Sequence, residues 1–80
     1  MKPMDNVSEL VTEVFSKILT EEQFAGFNLE ASMDDVDGWD SLNFLNIIME
    51  LENAFNIRID GLDAATMTSV PNILEYLQNT

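Results

Sequence analysis

The chain is predicted to be all-α, a small four-helix bundle built from three main helices and one short one. Apolar residues recur at three- and four-residue steps in three separate stretches of the sequence, the period of a helix with one buried face. The middle stretch, positions 41–55, is made of good helix formers and contains neither glycine nor proline. At 80 residues the chain is long enough for one compact domain with a small core. Residues 1–80 therefore read as a single domain, without internal repeats or low-complexity tracts.

The first helix is predicted over 7–19, where Val7, Leu10, Val11, Val14, Phe15, Ile18 and Leu19 share a face. Asn6 with Glu9 three positions on resembles a capping box, each side chain satisfying an amide of the first turn. Over 20–39 the period is lost and Gly26 and Gly38 interrupt. This reads as a long loop with room for one irregular helical turn, pinned to the core by Phe24, Phe27, Leu29, Met33, Val36 and Trp39. Loops this long are uncommon in compact domains and tend to be functional. The second main helix spans 41–55, residues 57–59 are expected to be extended, and 62–66 can form only about one helical turn. The last helix covers 70–77 through Val70, Ile73, Leu74 and Leu77, with Ser69 as its N-cap and Pro71 tolerated in the first turn.

Composition narrows the chemistry. Fifteen acidic residues against three basic ones give a formal charge of −12, which disfavours nucleic acid and anionic membrane surfaces as partners. Basic protein surfaces are the expected contacts. With no cysteine and no histidine the chain has no thiolate ligand, no ordinary zinc site and no Ser-His or Cys-His nucleophile pair. No apolar run approaches the roughly 20 residues of a membrane span, and the first residues lack a secretory pattern, so a cytoplasmic location is expected.

Projecting the second main helix at roughly 100° per residue separates three arcs. Phe44, Ile47, Ile48, Leu51 and Phe55 form the core face; Leu42, Leu45 and Met49 form a second apolar strip; Asn43, Asn46, Glu50 and Asn53 are polar. A helix of a monomeric bundle needs one buried face, so the second strip requires either the loop or a partner to cover it. Asp40 stands where an N-cap is expected, and Ser41 follows as the first helical residue at the boundary of the two apolar arcs. Unpaired first-turn amides and the positive end of the helix dipole would stabilise a phosphate ester on Ser41.

These residues resemble a known family. Asp40-Ser41-Leu42 opening an acidic helix, preceded by Gly38-Trp39 and followed by Leu51-Glu52-Asn53-Ala54-Phe55, is similar to the phosphopantetheine signature of acyl carrier proteins. Ile57-Arg58-Ile59, then a short helix, then Met67-Thr68-Ser69-Val70 and Leu74-Glu75-Tyr76-Leu77 extend the resemblance over essentially the whole chain. The resemblance implies a discrete, non-catalytic carrier. Its Ser41 would receive 4′-phosphopantetheine from coenzyme A through a phosphopantetheinyl transferase, flanked by Asp40 and Leu42, and the arm would hold acyl groups as thioesters and shuttle them between enzymes of a polyketide, specialised lipid or fatty acid pathway. It also implies that acyl-processing enzymes with basic docking patches grip Asp35, Asp37, Asp40, Glu50 and Glu52 and the apolar Leu42, Leu45 and Met49. A shuttle that presents one face to successive partners is expected to be monomeric.

This chain departs from the family pattern in two places. Carriers of fatty acid synthases usually have carboxylates where Asn43 and Asn46 stand, which points to a dedicated partner set in polyketide, specialised lipid or surface-polysaccharide synthesis. Family members can bury a fatty chain, and the corresponding wall here is Phe44, Ile47, Ile48, Leu51, Ala64, Met67 and Ile73; the bulk of Phe44 predicts short or polar cargo held outside. Alternatives are an aminoacyl or peptidyl carrier and a non-carrier acidic interaction domain. A calcium loop at Asp34, Asp35, Asp37 and Asp40 fits poorly, because with Gly38 at the EF-hand glycine the first ligand position is Met33 and the end of the loop offers Asn43 in place of glutamate.

Overall fold

A computed structural model describes residues 3–79, with side chains from position 7 onward. The described residues form α1 (Pro3–Ile18), α2 (Glu21–Phe24), α3 (Ser41–Phe55), α4 (Gly61–Ala64) and α5 (Val70–Gln78), with a 3-10 turn at Met33–Asp35 between α2 and α3. The all-α expectation holds, with α1, α3 and α5 as the long helices, but the described residues contain two short helices, α2 and α4, where one was expected.

Two local expectations are corrected. α1 starts at Pro3, so Asn6 lies about one turn inside the helix and does not cap it. Proline suits that first turn because its missing N–H would have had no intrahelical partner. The long loop contains a helical turn, α2, in addition to the 3-10 turn. Thr20 caps α2 in a reciprocal box: its Oγ1 accepts from the Gln23 amide at 3.2 Å, while Gln23 Oε1 accepts from the Thr20 amide at 3.0 Å.

The core forms where α1 packs against α3 and α5. Val11 and Phe15 of α1, Ile47 and Leu51 of α3, and Met67, Val70 and Ile73 at and before α5 are fully buried. Each such side chain contributes about 1.5–3 kcal/mol relative to remaining in water. The loop is fastened to this core by aromatic packing, with the Phe15 ring 4.7 Å from Phe27 and 4.9 Å from Trp39, the latter edge-on. Ala31, Val36 and Trp39 are buried and Phe24, Phe27 and Met33 pack against the core, but Leu29 is 41% exposed and does not pin the loop.

Backbone bonds complete the attachment. The Met33 amide donates to Thr68 O and the Val70 amide to Ala31 O, both at 2.8 Å, around a single antiparallel bridge between Ser32 and Ser69. Ser69 caps α5 as expected, its Oγ accepting from the Asn72 amide at 3.2 Å. α3 ends at Asn56, whose left-handed φ of 55° turns the chain while its amide still reaches Glu52 O. The start of α3 is thus anchored through the loop to α1, α2 and α5.

Candidate functional site

The start of α3 is built by its cap. Asp40 has extended backbone, and its Oδ1 accepts from the Asn43 amide at 2.9 Å, satisfying one of the donors a helix N-terminus leaves open. Ser41 follows as the first helical residue and is exposed. No acidic residue occupies the first turn of α3, so no carboxylate of the helix itself opposes an anion attached to Ser41. Beside the serine lies an open recess of about 250 Å³ lined by Met33, Ser41, Phe44, Ala65 and Thr68. An exposed hydroxyl on a positive helix end, next to a partly apolar recess, fits a tethered phosphodiester.

The turn that delivers the chain to this point is held from both sides. Gly38 has φ +85°, a conformation that side chains rarely adopt, and a Cβ there would run into the Gln23 carboxamide. On the other side Asn43 Nδ2 donates to Gly38 O at 2.7 Å, and Asn46 Nδ2 donates to Asn43 Oδ1 at 3.2 Å. Between these ties Trp39 is 3% exposed, and its indole Nε1–H is buried without a hydrogen-bond partner in the protein. The roles of Gln23 and Asn43 were not evident from periodicity. The pairing of Thr20 with Gln23 three residues later was the one available signal, and it marks only the cap.

The remaining sequence-predicted site residues divide by environment. Leu42, Leu45 and Met49 are 71%, 59% and 55% exposed, so the loop does not cover the second apolar strip. Asp37 is exposed in the turn before Gly38. Three acidic positions already serve the fold. Asp35 Oδ2 accepts from the amide and the hydroxyl of Ser32, each at 3.1 Å; Glu50 pairs with Lys17 at 3.4 Å; Glu52 Oε2 accepts from the Ile59 amide at 2.7 Å. Among the described residues no group of three or more acidic side chains converges as a metal site, and Asp35 and Asp40 are turned onto backbone amides instead. No helix among the described residues is long and apolar enough to cross a membrane.

A short helical bundle that presents an exposed serine at a capped helix start fits a carrier of a covalent prosthetic arm. Comparison with known proteins agrees. Residues 9–77 match the family model described as the phosphopantetheine attachment site. The chain is 32% identical over 76 residues to the acyl carrier protein of Buchnera aphidicola subsp. Schizaphis graminum, covering 95% of both chains. It is 45% identical over 49 residues to that of Desulforapulum autotrophicum, covering 61% of this chain and 64% of the relative. The chain belongs to the acyl carrier protein family, whose members are non-catalytic and carry covalently attached 4′-phosphopantetheine.

Proposed function

We propose that Ser41 is the attachment point and that the chain shuttles thioester-linked acyl intermediates between biosynthetic enzymes. In the loading step Ser41 Oγ forms a bond to the phosphorus of coenzyme A that bears the pantetheine. The pyrophosphate P–O bond breaks, adenosine bisphosphate leaves, and the serine proton passes to a base of the transferase. When bound, the arm supplies a terminal thiol that holds acyl groups. What carries this reading is the exposure of Ser41 as the first residue of α3, directly after the Asp40 cap. Mass spectrometry tests it: incubation with a promiscuous phosphopantetheinyl transferase and coenzyme A adds one arm to the chain and none to Ser41→Ala. Addition to the variant would move the site elsewhere.

The partner face is proposed to be Leu42, Leu45 and Met49, rimmed by Asp35, Asp37, Asp40, Glu50 and Glu52. Because Asp35, Glu50 and Glu52 already bond within the fold, the apolar strip is given the larger part of docking and the acidic rim the steering. Asn43 and Asn46 make the helix face less acidic than that of fatty-acid-synthase carriers, which supports a dedicated set of enzymes in polyketide or specialised lipid synthesis. Phe44, half-buried against the core beside the recess, supports cargo held outside the bundle.

A further inference from the structure

The two residues flanking Trp39 are both tied to Asn43, Asp40 to its backbone amide and Gly38 to its side chain. Asp40 reaches the Asn43 amide through its carboxylate at 2.9 Å, and Gly38 offers its carbonyl to Asn43 Nδ2 at 2.7 Å. Asn46 Nδ2, bonded to Asn43 Oδ1 at 3.2 Å, fixes the rotation of that carboxamide so that its donor faces the loop. Gly38 sits at positive φ, and the indole Nε1–H of Trp39 between these ties is buried without a partner in the protein, so no bond from Trp39 helps to hold the turn. Only a donor at position 43 can make it, since a carboxylate there has no hydrogen to give Gly38 O and would repel it.

We propose that Asn43 is a positioning residue: with Asn46 behind it, it clasps the Gly38–Asp40 turn and so presents Ser41 Oγ in the one geometry that a phosphopantetheinyl transferase accepts. This rests on the carrier reading of Ser41. It also gives the two asparagines a reason beyond surface charge. They are neutral because the clasp needs amide donors and an amide acceptor, and a carboxylate substituted at 43 would release the turn. With the clasp lost, the competent loop is only one of several populated arrangements, and the apparent affinity of the transferase falls by that fraction.

The experiment compares the full chain with Asn43→Ala and Asn43→Asp, which remove the donor without and with an added charge. Two readings are taken: fluorescence of Trp39, the sole tryptophan, and kcat and KM for transfer of the arm from coenzyme A. Both variants are expected to keep their helical circular dichroism, to shift Trp39 emission to longer wavelength, and to raise KM by about threefold to tenfold with little change in kcat. Unchanged emission with unchanged KM overturns the clasp. Shifted emission with unchanged KM overturns the positioning role, and impairment of Asn43→Asp alone assigns the effect to charge and also overturns it. A parent chain that accepts no arm refutes the carrier reading itself, and in that case the emission of the variants still decides whether the clasp exists.

Discussion

The carboxylate of Glu52 accepts a hydrogen bond from the backbone amide of Ile59 at 2.7 Å, fastening the segment after α3 back onto the helix. Ile59 is 7% exposed, so its amide has little access to water as a substitute partner. Glu52→Ala is expected to cost about 1–3 kcal/mol by leaving that donor unsatisfied, whereas Glu52→Gln retains an acceptor and recovers most of the loss. Urea unfolding of the three proteins checks the order. An alanine variant as stable as the parent would show that Glu52 serves partners alone.

Gly38→Ala meets two obstacles of different kind. The left-handed backbone costs an alanine about 1–2 kcal/mol, and the new methyl must displace the Gln23 carboxamide, breaking its bond to the Thr20 amide. Adding Gln23→Ala removes the collision but not the backbone penalty. Thermal melts should therefore rank the parent first, the double variant second and Gly38→Ala last. A double variant no more stable than Gly38→Ala would place the whole cost in the backbone.

The sequence made the helix pattern legible because α1, α3 and α5 each bury one stripe, and a 3.6-residue period survives wherever a stripe is buried. Asp40 and Ser69 were readable as caps for the same local reason, a side chain three residues from the amide it satisfies. The loop from Thr20 to Trp39 was not legible in the same way. Its order comes from contacts distant in sequence, such as Phe15 with Trp39 and Ala31 with Val70, which leave no period behind. The start of α1 was misplaced because Asn6 and Glu9 satisfy a capping pattern that the helix, beginning at Pro3, passes through. At the site, the exposed strip was visible as surplus hydrophobicity. That Glu50 and Glu52 bond internally was not, since a carboxylate on a solvent arc looks the same whether or not it reaches a neighbour.

Tyr76 is expected to make stability fall at alkaline pH. Its hydroxyl donates to Asp63 Oδ2 at 3.3 Å, joining α5 to α4. Partial burial, then the charge and hydrogen bond of Asp63, then Asp60 and Glu52 disfavour the phenolate and raise the pKa above the ordinary 10.0. Because the folded value is the higher one, this stabilisation is complete below the ordinary value and is lost as pH climbs through the folded one, where the unfolded chain has already released its proton. Ultraviolet titration of the single tyrosine should show ionisation above that of a tyrosine peptide, and Tyr76→Phe should remove the step. Ionisation at or below the peptide value would contradict the contact.

Phe44 lines the recess beside Ser41 and packs against the core cluster that holds the fully buried Ile47, Leu51, Met67 and Ile73. If the ring closes the way inward, loading a long acyl chain should move the nuclear magnetic resonances of Met33, Ala65 and Thr68 and leave those four core residues in place. Phe44→Ala should cost about 1–3 kcal/mol in the unloaded protein and then admit the chain, so that core resonances shift and acylation restores part of the stability. Strong core shifts on loading the parent would refute the exclusion.

Leu42, Leu45 and Met49 place apolar side chains in water at 71%, 59% and 55% exposure on the side of α3 turned away from its core face. Glutamine has nearly the helix propensity of leucine and methionine, so Leu45→Gln and Met49→Gln should leave stability within about 0.5 kcal/mol of the parent. The same changes remove apolar area only where a partner would cover it. They are therefore expected to lower kcat/KM for the transferase and for acyl-loading enzymes by about fivefold or more, chiefly through KM, while Ser41 remains chemically intact. Loss of stability in these variants would mean that the strip packs within the fold. Full turnover with every enzyme tested would mean that docking uses another face, and the exposure of this strip would then have no part in recognition.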